Sequence, residues 1–232
     1  MITSISKELY EVQIPNFTGE VKMFPFNLEN LAEVPKEFKV LVSKMIEALP
    51  IKKGIAYLTM DGKLVEKGKT QRRGGVHIDG NFIAEISDWG QGGGNNGWKV
   101  GEGGRILSSE HHKLSYENTT GGMLIASTYP ACKGWNGVFD GKPYVGGDCT
   151  RIEGLNDGFI LKPNTVYYGN SQWLHESLPI DKTTHRIVAR ITLPMDYPVL
   201  ETECCHLPIT AAAMQRPCVA PAARLGYSWC CV

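Results

Sequence analysis

The sequence predicts a mostly β fold, a sandwich or barrel preceded by a single N-terminal helix. Three observations carry that expectation. One amphipathic helical pattern occurs, and it lies before Pro50. After Pro50 come about eight short apolar or alternating runs, separated by Gly, Pro and Asn. No helical pattern alternates with those runs, which excludes a doubly wound α/β sheet.

Residues 1–30 read as an extended arm, with Pro15, Pro25 and the alternating run Glu20-Val21-Lys22-Met23-Phe24. Phe38, Leu41, Val42, Met45, Ile46 and Leu49 then recur at helical spacing and form one apolar stripe. Pro35 suits a first helical turn and Pro50 stops the pattern, so a helix over 35–49 is expected to lie on a sheet. Ile55 to Met60, Asp61-Gly62, and Lys63 to Lys69 read as strand, tight turn and strand. A glycine-dense segment from Ser87 to Gly104, holding Trp89 and Trp98, is too long for a connector and reads as a lid. It lacks Gly-x-Gly-x-x-Gly before a helix, so it is not a dinucleotide loop.

Gly122 to Thr128 reads as a buried strand, and Pro130 to Cys149 as a second glycine-rich loop. Phe159 to Leu161, Val166 to Tyr168, Trp173 to His175 and Arg186 to Leu193 complete the strands. Residues 195–232 show no periodicity. The expected organisation is an arm and helix over 1–54, a β core over 55–194 and an irregular cysteine-rich tail over 195–232.

The formal net charge is +0, so no global field favours nucleic acid or an anionic membrane. No apolar run is long enough to span a bilayer, and Met1 to Tyr10 lacks the apolar stretch of a secretory signal. Seven cysteines without a Cys-x-x-Cys pair are expected to be reduced thiols in a cytoplasmic protein.

The chemistry concentrates in two stretches, Gly74-Gly75-Val76-His77-Ile78-Asp79-Gly80 and Trp173-Leu174-His175-Glu176-Ser177. On a strand, residues i and i+2 share a face, so His77 and Asp79 reach one point while Ile78 turns into a core. His175 would complete a set of two imidazoles and one carboxylate, which leaves positions open on a non-haem Fe(II). The plainer readings are an Asx turn at Asp79-Gly80 and core histidines at 77 and 175. His111-His112 and His185 are spare imidazoles. On the last strand Arg186, Val188, Arg190 and Thr192 share one face, and Ile187, Ala189, Ile191 and Leu193 the other. Two arginines on an interior face are costly unless each meets an anion; a solvent-facing arginine side is the alternative.

His77-x-Asp79, a distal His175 and Arg186 eleven residues later resemble the Fe(II)- and 2-oxoglutarate-dependent oxygenases. The resemblance covers roughly residues 55–194 and implies a double-stranded β-helix, a jelly-roll or cupin-like fold. It implies Fe(II) on His77, Asp79 and His175, 2-oxoglutarate as cosubstrate, and O2 as oxidant. It leaves Arg186 and Arg190 as candidates for the far carboxylate of 2-oxoglutarate, since Arg190-Ile191-Thr192 is similar to the Arg-x-Ser of some members. Tyr168 and Asn170, just before the second histidine, are expected to bind the cofactor, with Tyr167 and Trp173 nearby. The implied activity is hydroxylation or desaturation of a small molecule, amino acid or peptide. The alternatives are a cupin-like metal isomerase, a cosubstrate-free dioxygenase, or a non-catalytic jelly-roll binding or structural module.

Overall fold

The large sheet is held on one side by the stripe of the N-terminal helix. We describe the protein from a computed structural model, for residues 1–79, 120–143, 147–155, 157–194 and 196–200. The expected lid over 87–104, His111-His112, Tyr144 and the five tail cysteines lie outside the described residues. The chain divides into two compact units, Met1–Thr202 and Glu203–Val232, and only the first contains described residues.

The described chain is mostly β. In order it runs β1 (Ile2–Ser4), β2 (Ser6–Glu11), β3 (Gly19–Asn27), two 3-10 turns (Leu31–Glu33 and Lys36–Phe38) and α1 (Lys39–Met45). Eight strands follow among the described residues: β4 (Ile55–Val65), β5 (Met123–Ser127), β6 (Cys132–Trp135), β7 (Gly137–Phe139), β8 (Phe159–Ile160), β9 (Thr165–Gly169), β10 (Leu174–Ser177) and β11 (Thr184–Thr192). They form an open six-stranded antiparallel sheet in the order β2-β9-β5-β11-β4-β3. A three-stranded sheet, β10-β6-β8, and a pair, β1-β7, complete the pairing.

All six residues of the predicted stripe are buried, so the helical face is as read. The helix is shorter than expected. Only Lys39–Met45 is α-helical, with a 3-10 turn before it and turns after it. The α form is disfavoured before Pro50, and Tyr10 secures the end instead. Its hydroxyl donates to the Lys44 carbonyl at 2.6 Å and accepts from the Ala48 N–H at 3.0 Å.

The stripe packs on Ile187, Ala189, Ile191 and Leu193 of β11 together with Ala56, Leu58 and Met60 of β4. The opposite face of the sheet contributes Met123, Ile125, Tyr167 and Val188 to a second core with Cys132, Leu161 and Trp173. Both faces of β11 are therefore covered, and Arg186 and Arg190 are buried rather than facing solvent.

Three further expectations are corrected. The arm is not loose: β1, β2 and β3 pair with β7, β9 and β4, so residues 1–27 supply strands of the same sheets. The Pro130 to Cys149 stretch contains β6 and β7: Cys132–Trp135 pairs along β10 and Gly137–Phe139 along β1. Asp61-Gly62 is not a turn. β4 runs straight through it, with Asp61 opposite Val188 on one side and Glu20 on the other.

The glycine serves close approach instead of turning. A Cβ on Gly62 would sit 2.1 Å from the Phe17 carbonyl oxygen, which is backbone and cannot swing aside. Gly62→Ala is therefore expected to destabilise the fold by about 1–3 kcal/mol through overpacking. Urea unfolding measures it, and an unchanged midpoint would restore the exposed-turn reading.

Candidate metal centre

The site is set by one pair of backbone hydrogen bonds. His77 N–H donates to the His175 carbonyl, and His175 N–H donates back to the His77 carbonyl, both at 3.0 Å. In an antiparallel ladder, residues that exchange both bonds lie opposite each other with side chains on the same face. On its other edge the segment is held by Ile78 N–H to the Gly147 carbonyl and Cys149 N–H to the Val76 carbonyl, both at 2.9 Å. Asp79, two residues beyond His77, shares its face. Ile78 turns the other way and is fully buried with Trp135, Phe139 and Leu174.

The three side chains converge. One ligand atom from each of His77, Asp79 and His175 lies within 4.8 Å of the other two. His77 Nε2 is 3.9 Å from Asp79 Oδ1, and His175 Nε2 is 3.6 Å from Asp79 Oδ2. Ligand bonds of about 2.0–2.2 Å would draw these atoms slightly closer around an ion.

The tautomers are fixed locally. His77 Nδ1 lies 2.7 Å from the Gly75 carbonyl, and His175 Nδ1 lies 2.9 Å from the Trp173 carbonyl. A carbonyl only accepts, so each Nδ1 carries the proton, and a neutral ring then presents its Nε2 lone pair. Burial, reinforced by the neighbouring imidazole, pushes the His77 pKa down to about 3, so this ring is neutral near pH 7. The indole of Trp173 stacks on the His175 ring, with centroids 5.1 Å apart. That indole fits because residue 169 is glycine: a Cβ there would lie 2.0 Å from Trp173 Cε3.

Asp79 is a carboxylate. Burial opposes its charge, but the Arg190 guanidinium and the two imidazoles outweigh burial and hold its pKa well below the usual range. Arg190 Nη1 donates to Asp79 Oδ2 in a short charged hydrogen bond. Two imidazole nitrogens and one carboxylate, gathered on one face, are the donor types that a transition-metal ion takes. The donor set therefore fits a divalent transition metal, by chemistry as well as by position.

Arg186 is placed differently. It is 0 % exposed, and its three side-chain hydrogen bonds go to Ser127 Oγ at 3.0 Å, Ser177 Oγ at 3.3 Å and Cys132 Sγ at 3.0 Å. All three partners are neutral. Ser177 and Cys132 line the same cavity as His77, Asp79 and His175, a space of about 250 Å³.

Tyr168 and Asn170 are not brought to this site. Strand alternation turns Tyr168 into the helix-side core. The Asn170 amide instead ties down the N-terminus, donating to the Thr3 carbonyl at 2.8 Å and accepting from Ile5 N–H at 3.1 Å. Asp61 and Gln71, which the sequence reading left in a turn and a connector, do line the cavity, as do Arg72 and Arg73. The signal for Asp61 was its period-two spacing with Thr59 and Lys63, which also line it. Cys132 and Cys149 are free thiols. Among the described residues no helix is long and apolar enough to cross a membrane.

No protein-family model, no curated protein and no solved structure matches the chain. Its functional reading rests on its own geometry.

Two measurements check the centre. His77→Ala and His175→Ala are each expected to lose divalent-metal binding by calorimetry while their melting curves stay cooperative; unchanged affinity in both would remove the metal site. The second concerns the metal-free protein. The folded-state pKa of His77, about 3, lies below its ordinary 6.5. The unfolded chain thus binds the extra proton, and stability falls as pH drops through 6.5 toward 3. Between pH 7 and pH 5 this amounts to about 2 kcal/mol. Chemical unfolding of the wild type should show that loss, and His77→Gln should show a loss smaller by that amount.

Proposed function

We propose that the protein is an Fe(II)- and 2-oxoglutarate-dependent oxygenase acting on a small molecule, amino acid or peptide, built on a double-stranded β-helix core. The observation that carries the reading is the convergence of two lone-pair imidazoles and one carboxylate on one face, beside a buried arginine with only neutral partners. His77, Asp79 and His175 would hold the iron. When bound, iron with 2-oxoglutarate and O2 supplies oxidation of a C–H bond, with 2-oxoglutarate leaving as succinate and CO2.

The chain's residues have separable tasks. Nδ1–H bonds to Gly75 and Trp173 orient the rings and keep Nε2 available. Arg190 occupies Asp79 Oδ2 and so leaves Oδ1 turned toward His77. Because Arg190 already has its carboxylate, Arg186 is the better anchor for the far carboxylate of 2-oxoglutarate. A buried guanidinium is always charged, and neutral partners leave that charge uncompensated. A dicarboxylate compensates it through charge-assisted, fork-shaped contacts. Ser127 and Ser177 keep the guanidinium aimed meanwhile.

The face opposition of the two sheets supports the core architecture. His175 on the small sheet, His77 bridged to it, and Arg190 on the large sheet line one cavity. That cavity, about 250 Å³, is just below the ~300–1,000 Å³ usual for ligand pockets, which favours a compact substrate over a folded macromolecule.

Anaerobic titration with Fe(II) and then 2-oxoglutarate, followed by a succinate assay, tests the reading. Arg186→Gln is expected to weaken 2-oxoglutarate binding by about 30-fold to several thousand-fold, corresponding to a lost charged contact of roughly 2–5 kcal/mol. Arg190→Gln is expected to act first on metal affinity, through Asp79. If neither variant changes 2-oxoglutarate binding, a cupin-like metal enzyme without cosubstrate replaces the proposal.

A further inference from the structure

The cavity that the imidazoles line also carries an acceptor that no described residue fills, beside a buried carboxylate. Gln71 is 6 % exposed, and its amide is oriented by its own donors. Nε2 gives one hydrogen bond to the Asp61 carbonyl at 2.7 Å and one to the Arg186 carbonyl at 3.2 Å. An amide nitrogen has only two hydrogens, so both are spent on backbone and Oε1 is left as a pure acceptor. Oε1 is buried and has no partner among the described residues. An orphaned buried acceptor is rare enough in folded proteins to need an explanation.

Asp61 stands beside it, 4 % exposed, on the same face of β4 as Thr59 and Lys63. Lys63 Nζ and Arg72 Nη1 approach it at 3.3 and 3.7 Å, and both come to the same oxygen, Oδ2. The two cations are themselves partly exposed, with side chains at 51 % and 28 %, so solvent screens them and they can swing aside at little cost. Asp61 lies one two-residue step along the sheet, roughly 7 Å, from the row in which Thr59 faces Arg190. Arg190 in turn holds Asp79.

We infer that Asp61 and Gln71 form the subsite for a cationic nitrogen, so that the substrate class is a small molecule bearing a primary ammonium or guanidinium. Such a group carries several N–H donors and a positive charge. It donates to Gln71 Oε1, pairs with the Asp61 carboxylate and takes over the charge balance that Lys63 and Arg72 now provide. A neutral donor gains no charge attraction from Asp61, and an anionic group meets its carboxylate unfavourably. This inference rests on the oxygenase reading for the chemistry that follows binding, though not for binding itself.

Calorimetry on the full chain tests it, with L-lysine and L-arginine as probes. Their counterparts without cationic nitrogen are Nα,Nε-diacetyl-lysine and Nα-acetyl-citrulline. Each is titrated with and without Mn(II) and 2-oxoglutarate. At least one cationic probe is expected to bind at least tenfold more tightly than its neutral counterpart. Asp61→Asn should abolish that preference, and Gln71→Leu should reduce it. Glu176→Gln, a change at another acid lining the cavity, should leave it intact. A merely structural Asp61 would alter the melting temperature but not the ratio between charged and neutral probes. Equal binding of charged and neutral probes, absence of binding by both cations, or a preference that survives Asp61→Asn overturns the inference. The Mn(II) titration stands apart: loss of metal binding with the amine preference retained would sink the oxygenase reading and leave the subsite standing.

Discussion

The reciprocal hydrogen bonds between His77 and His175 are the constraint on which the site depends. They join segments about a hundred residues apart and do so through backbone, so no side chain is spent on the joint. The pleat then decides the rest. Opposite residues share a face, the next-but-one residue shares it too, and three ligand-bearing side chains meet without any loop having to position them. Trp173 and the Gly75 carbonyl lock the two rings from behind, so the geometry is built before any ion arrives.

The large sheet supplies the complementary half. One face is an ordinary apolar surface under α1. The other places Glu20, Asp61, Lys63, Arg186 and Arg190 where most sheets place Val and Ile. Of these, Asp61, Arg186 and Arg190 are buried, which is costly unless groups of opposite charge share the space. Asp79 and Asp61 answer part of the positive charge, and Arg186 is the part the described protein leaves unanswered. Under the proposed function, charged ligands would complete the electrostatics of this cavity. The same logic separates the two arginines, which are chemically identical and four residues apart. Only one of them already has a carboxylate.

The N-terminal strands tie the two halves together. Asn170 and Gln172, flanking the turn into β10, hold the backbone of residues 3–5. Ser4 accepts the Leu174 N–H at 2.8 Å and donates to the Trp135 carbonyl. The start of the chain therefore braces the strand that carries His175, a structural task for Asn170 that proximity to the histidine in sequence made look like a binding one.

What the sequence by itself determined were the properties that follow from periodicity. The helical stripe, the two faces of β11, the burial of Ile78 and the shared face of His77 and Asp79 depend on local repeat alone, and a repeat is written in the residues. Boundaries and partners were not so written. Asp61-Gly62 has the composition of a hairpin turn, but pairing with β11 and β3 carries the strand straight through it, and the Phe17 carbonyl packed against residue 62 is what requires the glycine. Tyr168 and Asn170 lie next to the site in sequence but are turned from it by strand alternation and by the N-terminal strands. The pairing of Arg190 with Asp79, the neutral surroundings of Arg186 and the orphaned Gln71 Oε1 are contacts between residues far apart in the chain. Tertiary structure alone decided them, because a charge buried in a fold is defined by what surrounds it and not by its neighbours in sequence.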